Sequence, residues 1–188
     1  MAFMSKKTLR QFGFGAVGKN ALISERATFY GASRITISDD VRIDDFTVLS
    51  AGNGGIHIGS NVHISTHVLI VGACRITLSD FSGIASRVSI YSSTDDFSGK
   101  ALTGPTVPSK YTGVVSKDVF LGKHVIVGSG TVILPGCILE DGVAIGALSL
   151  VNTTCDAFGI YVGNPARRVK DRSRFLLNLE SEYVAEKR

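Results

Sequence analysis

Four histidines are the residues of this 188-residue chain best suited to moving a proton near neutral pH. An imidazole with an ordinary pKa near 6.5 keeps a large neutral fraction at pH 7. His57, His63 and His67 cluster, six and four residues apart. That raises a metal-site reading, but no further histidine or acidic pattern completes a ligand set, and no metal is expected. His124 stands apart, in the run Val119-Phe-Leu-Gly-Lys-His-Val125. Arg167, Arg168 and Lys170 form a basic run, and guanidinium groups suit phosphate. Asp95 and Asp96 lie in a segment rich in Ser, Gly, Thr and Pro, where aspartate either makes turns or holds hydroxyl groups.

What must position these residues is a repeat. Val115, Leu121, Val127, Ile133, Leu139, Ile145 and Val151 recur every six residues, and Val119, Val125, Thr131, Cys137, Val143, Ser149 and Cys155 follow each by four. A period of six fits neither a 3.6-residue helix nor a plain amphipathic strand. It fits a short strand plus a corner, three to a coil, stacked as a hexapeptide β-helix. Upstream the hexads begin at Val17, and Ile35-Thr-Ile37, Ile56-His-Ile58 and Ile76-Thr-Leu78 each open a run of three. Cys74, Cys137 and Cys155 take the small fifth place of a hexad and read as core fillers, with no metal spacing.

The count breaks after Tyr91. Residues 92–114 form one long excursion loop, and a loop of that length in a compact domain points to function. The hexads resume at Val115. If the loop replaces no hexad, Phe46, His67, Arg87 and His124 each take the fourth place of the second hexad in their coil. They then share one side, coil on coil at about 4.8 Å. Arg87 would border His124, and a nearby cation favours neutral imidazole.

The chain reads as an N-terminal cap over 1–16, with Leu9, Phe12 and Phe14 over the open end, a β-helix domain over 17–160, and a turn and helix over 161–188. From Asp171 to Lys187, Phe175, Leu176, Leu179, Tyr183 and Val184 fall near helical spacing and would pack as a cap or on a neighbouring subunit. A net charge of +4 is compatible with an anionic ligand. Nothing interleaves aromatic and basic residues as nucleic-acid binding would require. No apolar stretch approaches membrane-span length, so no integral membrane segment and a cytoplasmic location are expected.

The hexads, with Val119-Phe-Leu-Gly-Lys-His124, Ile133-Leu-Pro-Gly136, Ile145-Gly-Ala-Leu-Ser-Leu150 and Tyr161-Val-Gly-Asn-Pro-Ala-Arg167, resemble the left-handed β-helix acyltransferases over residues 17–170. The match is nearest the maltose, galactoside and polysaccharide O-acetyltransferase branch. The resemblance implies an all-β, left-handed parallel β-helix, a homotrimer, and acetyl-CoA as cosubstrate in a groove between subunits. It implies His124 as general base, when the motif is placed by its distance from the loop; placing it by Pro135 would put Gly130 there instead. It implies Ala147 and Ser149 against the pantetheine arm. Arg167, Arg168 and Lys170 would meet the phosphates of CoA, and Arg87, Asp95, Asp96 and His67 the acceptor. The expected reaction is acetyl transfer to a sugar hydroxyl of a polysaccharide, lipopolysaccharide precursor or nucleotide sugar. The alternative is N-acetylation of a nucleotide-linked amino sugar, and a zinc-dependent or non-catalytic β-helix protein is the more distant reading.

Overall fold

The computed structural model describes residues 2–187. Short strands from successive coils line up into three parallel sheets around one core. The first face carries Ala16–Val17, Ile35–Ile37, Ile56–Ile58, Ile76–Leu78, Val119–Leu121 and Ile138–Leu139. The second carries Leu22–Ile23, Arg42–Ile43, His63–Ile64, Gly83–Ile84, Ile126–Val127, Ala144–Ile145 and Gly159–Val162, with Arg167–Asp171 folded back antiparallel on the last. The third carries Thr28–Tyr30, Val48–Ala51, Leu69–Gly72, Ser89–Tyr91, Val132–Ile133 and Leu150–Val151. One strand from each face makes a coil, so six full coils stack and a seventh begins. The leading aliphatic of each hexad points inward: Ile23, Ile43, Ile64, Ile84, Val127 and Ile145 are all 3% exposed or less. Each such side chain contributes about 1.5–3 kcal/mol by burial.

The first corner, between the first and second faces, follows an alternating rule. Gly18, Gly59 and Gly122 stand in coils one, three and five, and Asp39, Asp80 and Asp141 in the coils above them. Each aspartate reaches down to accept the backbone N–H of the residue after the glycine: Lys19 at 2.6 Å, Ser60 at 2.7 Å and Lys123 at 2.7 Å. The glycine leaves the space that the carboxylate occupies.

The loop corrects the sequence count by one hexad. Val115 fits the six-residue period but does not enter a coil. Val115–Ser116 pairs antiparallel with Ser93–Thr94, closing the excursion as a hairpin, and Val115 is 47% exposed. The coil resumes at Val119–Leu121, in register with Ile76–Leu78 on the first face. Every corner beyond the loop therefore sits one corner away from where the count places it.

The first coil is covered by the N-terminal helix. Helix α1 (Lys6–Phe12), capped by Ser5 and ended by Gly13 in the left-handed region, brings Phe12 and Phe14 onto Phe29 at ring distances of 5.7 and 4.9 Å. Helix α2 (Leu176–Glu186) is shorter than the expected span: Asp171 ends the strand Arg167–Asp171, and residues 172–175 are non-helical. Its apolar residues do not dock it: none of its residues is buried, and Phe175 and Leu179 are 62% and 50% exposed. Polar and aromatic contacts hold it instead, running down the first corner. Glu180 meets His124, Tyr183 donates to Asn61 Oδ1 at 2.9 Å, and Lys187 meets Asp40 at 2.8 Å. Cys137 and Cys155 are buried, and burial pushes the Cys155 thiol up to about 12. Cys74 is only half-buried, at a corner rather than in the core.

Candidate active site

His124 does not stand where the sequence count puts it. It occupies the first corner, above Phe81, in a column of left-handed residues that includes Asp40 and Asn61. Its ring stacks on Phe81 at 5.1 Å, its Nε2 lies 2.7 Å from Glu180 Oε2, and its side chain is 10% exposed. Lys123 Nζ takes the other oxygen of Glu180. Burial opposes ionisation of Glu180, but hydrogen bonds from Lys123 and His124 outweigh it and hold the carboxyl below its ordinary range. Arg172, whose guanidinium is disfavoured by burial, donates to the carbonyls of His124 and Gly142 at 2.7 and 3.0 Å. Lying beneath the chain's own helix and joined to Glu180, His124 fastens that helix to the first corner.

A consequence for stability follows from the lowered pKa of Glu180. Its contribution is present above the ordinary value of 4.5 and is lost as pH falls through the lowered folded value. Glu180→Gln should therefore cost about 1–2 kcal/mol at pH 7, discounted for the partly exposed Lys123. The wild-type and variant unfolding midpoints should converge as pH falls below 4.5, which thermal denaturation from pH 7 to 3 checks.

The second corner, between the second and third faces, gathers the other candidates. Its left-handed column runs Phe46, His67, Arg87, Gly130, Leu148. Gly130, not His124, follows Arg87 one coil on, and its N–H donates to Ser86 O at 3.0 Å. His67 is exposed, 5.0 Å from the Phe46 ring, with Nδ1 at 3.1 Å from Thr66 Oγ1. The Arg87 guanidinium is exposed and makes no ion pair or hydrogen bond among the described residues. Beside it, Ser86 Oγ lies 2.9 Å from Ser65 Oγ. Two coils above Ser86, Ala147 is exposed and its backbone N–H meets no acceptor among the described residues. Ser149 is withdrawn: it is 3% exposed, its hydroxyl donates to Gly146 O at 2.8 Å and accepts from Gly163 N.

The basic run lies just above this corner, on Arg167–Asp171. Among the described residues the Arg167 guanidinium bonds only the neighbouring carbonyl, Ala166 O, and Lys170 has no ion-pair partner. Arg168 is committed, at 2.7 Å from Asp171 and 3.8 Å from Asp156, and the Asp171 hydrogen bond pushes its pKa up.

The two loop aspartates differ. Asp96 accepts from Ser98 N and Oγ at one oxygen, and from Lys100 N and Ala101 N at the other, all between 2.7 and 3.1 Å. The Ser98 hydroxyl foremost holds its carboxyl below the ordinary range. The Asp95 carboxylate accepts from Gly104 N at 3.4 Å, its one hydrogen bond among the described residues, and Asp95 lines a concavity of about 470 Å³ with Ser93, Thr94, Ser109 and Thr112. The loop leaves the third corner, so the third face separates it from Ser86, and no hydrogen bond joins the two among the described residues. His57 bonds Thr36 on the first face at 2.9 Å, and His63 bonds Asp44 on the second at 2.8 Å. The clustered histidines therefore do not converge. Burial opposes ionisation of Asp44, but Arg42 and His63 hold its carboxyl low.

No family model matches the chain. It is 49% identical over 183 residues to a dTDP-4-amino-4,6-dideoxy-D-glucose acyltransferase of Escherichia coli, covering 97% of this chain and 95% of that protein. Its structure is similar to that of AntD, an N-acyltransferase from Bacillus cereus, in complex with dTDP and 3-hydroxybutyryl-CoA. The TM-score is 0.95 and the identity 42%, over 98% of this chain and 97% of that one. Forms of AntD altered at one serine, or at an aspartate ten positions further on, have also been solved with coenzyme A. A maltose O-acetyltransferase from Clostridium difficile 630 shares the fold, with a TM-score of 0.63 at 24% identity over 90% of this chain and 75% of that one.

Proposed function

The chain belongs to the hexapeptide-repeat, left-handed β-helix acyltransferases, and from that premise we propose that it transfers an acyl group from coenzyme A to the amino group of a dTDP-linked 4-amino-4,6-dideoxy sugar. The relatives favour nitrogen over the hydroxyl acceptor that the O-acetyltransferase resemblance put first. The observation that carries the reading to residues is a spacing. Ser86 and Asp96 are the one serine and aspartate of this chain in that order ten residues apart, matching the two positions altered in AntD.

The chemistry fits. The amine attacks the thioester carbon, the tetrahedral adduct collapses, and the CoA sulfur leaves with a proton, giving an amide and free thiol. An amine is a far better nucleophile than a sugar hydroxyl, so the site must hold it neutral and aimed rather than strip a proton from oxygen. Ser86 Oγ accepts an amine N–H, and the ionised Asp96 supplies negative charge where the amine sheds its proton. The unpaired Arg87 guanidinium suits the diphosphate of the acceptor. The exposed N–H of Ala147 is a donor for the pantetheine arm, and Arg167 and Lys170 for CoA phosphates. No step runs through His124.

Ser86 and the loop stand on different corners of one protomer, so the reading takes a trimer in which the loop of one subunit completes the second corner of the next. Mixed oligomers of Ser86→Ala and Asp96→Ala protomers test this. With dTDP-4-amino-4,6-dideoxyglucose and acetyl-CoA, the mixture should regain activity well above either variant alone. No gain over the parents contradicts a shared site.

A further inference from the structure

We infer that Ser65 is a positioning residue that turns the Ser86 hydroxyl into a hydrogen-bond acceptor for the incoming amine, an inference that rests on the role given to Ser86 above. The two Oγ atoms are 2.9 Å apart, and either hydroxyl can donate. The reaction selects one direction. An attacking amine must keep its lone pair aimed at the thioester carbon, so the group beside it must take an N–H. Ser86 can do so only if its own O–H points elsewhere, and Ser65 Oγ is the acceptor within reach. If Ser86 donated instead, it would cap the lone pair and disarm the nucleophile. No proton changes owner in this arrangement; the amine's protons leave by the route of the reaction itself.

Ser65 is built to hold still. Its N–H donates to Ile84 O at 2.9 Å in the coil above, and its carbonyl accepts from the hydroxyl of the fully buried Thr47 at 2.9 Å in the coil below. The same position on the following coils is Ala85, Gly128 and Gly146, none of which has a hydroxyl. The neighbouring diagonal bond, Ser24 to Asp45, has the same stepped geometry with a carboxylate as acceptor. A hydroxyl at this place recurs at Ser24, two coils below, where it donates to the carboxylate of Asp45; beside Ser86 it is Ser65 that supplies one.

A double-mutant cycle in kcat separates positioning from mere structure. Ser65→Ala should lower kcat about tenfold, the size of one hydrogen bond, with KM for the amino sugar within about twofold. Ser65→Thr, which keeps the hydroxyl, should hold kcat near wild type. In a Ser86→Ala background, Ser65→Ala should change nothing, because Ser65 acts only through Ser86. Unchanged kcat in Ser65→Ala, or losses that multiply in the double variant, overturns the inference and leaves Ser86 in place. Full activity in Ser86→Ala removes the reading of Ser86, and this inference with it.

Discussion

Ser86→Ala lowers kcat/KM for the amino sugar by about 100- to 1,000-fold on this account, with CoA affinity and unfolding midpoint close to wild type. The magnitude is that of removing one aimed hydrogen-bonding group from a site where charge moves. The small stability effect follows from position. Ser86 is at a half-buried corner and gives up one 2.9 Å hydroxyl bond, so the net cost is about 1 kcal/mol. CoA affinity is spared because the proposed donor end of the corner, at Ala147 and Arg167, lies two or more coils above. Steady-state kinetics, calorimetric CoA titration and thermal denaturation read the three. A fall in CoA affinity matching the fall in activity would move Ser86 from the acceptor to the donor side.

The second large effect is on stability, at Gly122→Ala. A Cβ there would stand 2.5 Å from Asp141 Oδ1, 2.7 Å from Asp141 N and 2.9 Å from Glu140 C. Two of these are backbone atoms of the coil above, which cannot move without shifting that coil. The added methyl also displaces the carboxylate that accepts Lys123 N–H at 2.7 Å. Overpacking of this kind costs about 2–3 kcal/mol. For a chain of this size that is a drop of roughly 5–10 °C in the unfolding midpoint. Asp141→Ala in the same background should recover part of the loss, since it empties the space the methyl needs. An unchanged midpoint in Gly122→Ala would mean the coils slide past each other more freely than this packing allows.

The coil was legible because its cause is local. A hexad places one aliphatic inward and one small residue at the corner, and Ile43, Ile64 and Ile84 obey it without help from distant sequence. The excursion loop was legible for the same reason, as a stretch without hexads. The register beyond it was not. Val115 satisfies the period yet pairs with Thr94 in a hairpin, and an aliphatic at the right interval carries no mark that separates the two uses. That one step moved His124 to the wrong corner; the alternative placement by Pro135, which puts Gly130 above Arg87, is the one the coils adopt. Within the chain itself, helix α2 is held by residues that the apolar spacing did not single out: Glu180, Tyr183 and Lys187, spaced three and four residues apart, meet the corner column. Those contacts join residues more than 50 positions apart in sequence, beyond any local pattern. Ser86 was missed because serine is an ordinary corner residue here; the step of 21 residues from Ser65 to Ser86 was the available signal. The choice between nitrogen and oxygen acceptors had no sequence signature at all, since donor and fold are common to both.

The most direct measurement is thiol release from acetyl-CoA with two acceptors side by side: dTDP-4-amino-4,6-dideoxyglucose, and the same nucleotide sugar with a hydroxyl in place of the amine. The account expects saturable turnover with the amine, an amide product 42 mass units heavier, about the mass of one added acetyl group under the acyl-transfer chemistry above, and turnover with the hydroxyl lower by at least about 100-fold. Equal turnover with both, or turnover with the hydroxyl alone, would contradict it.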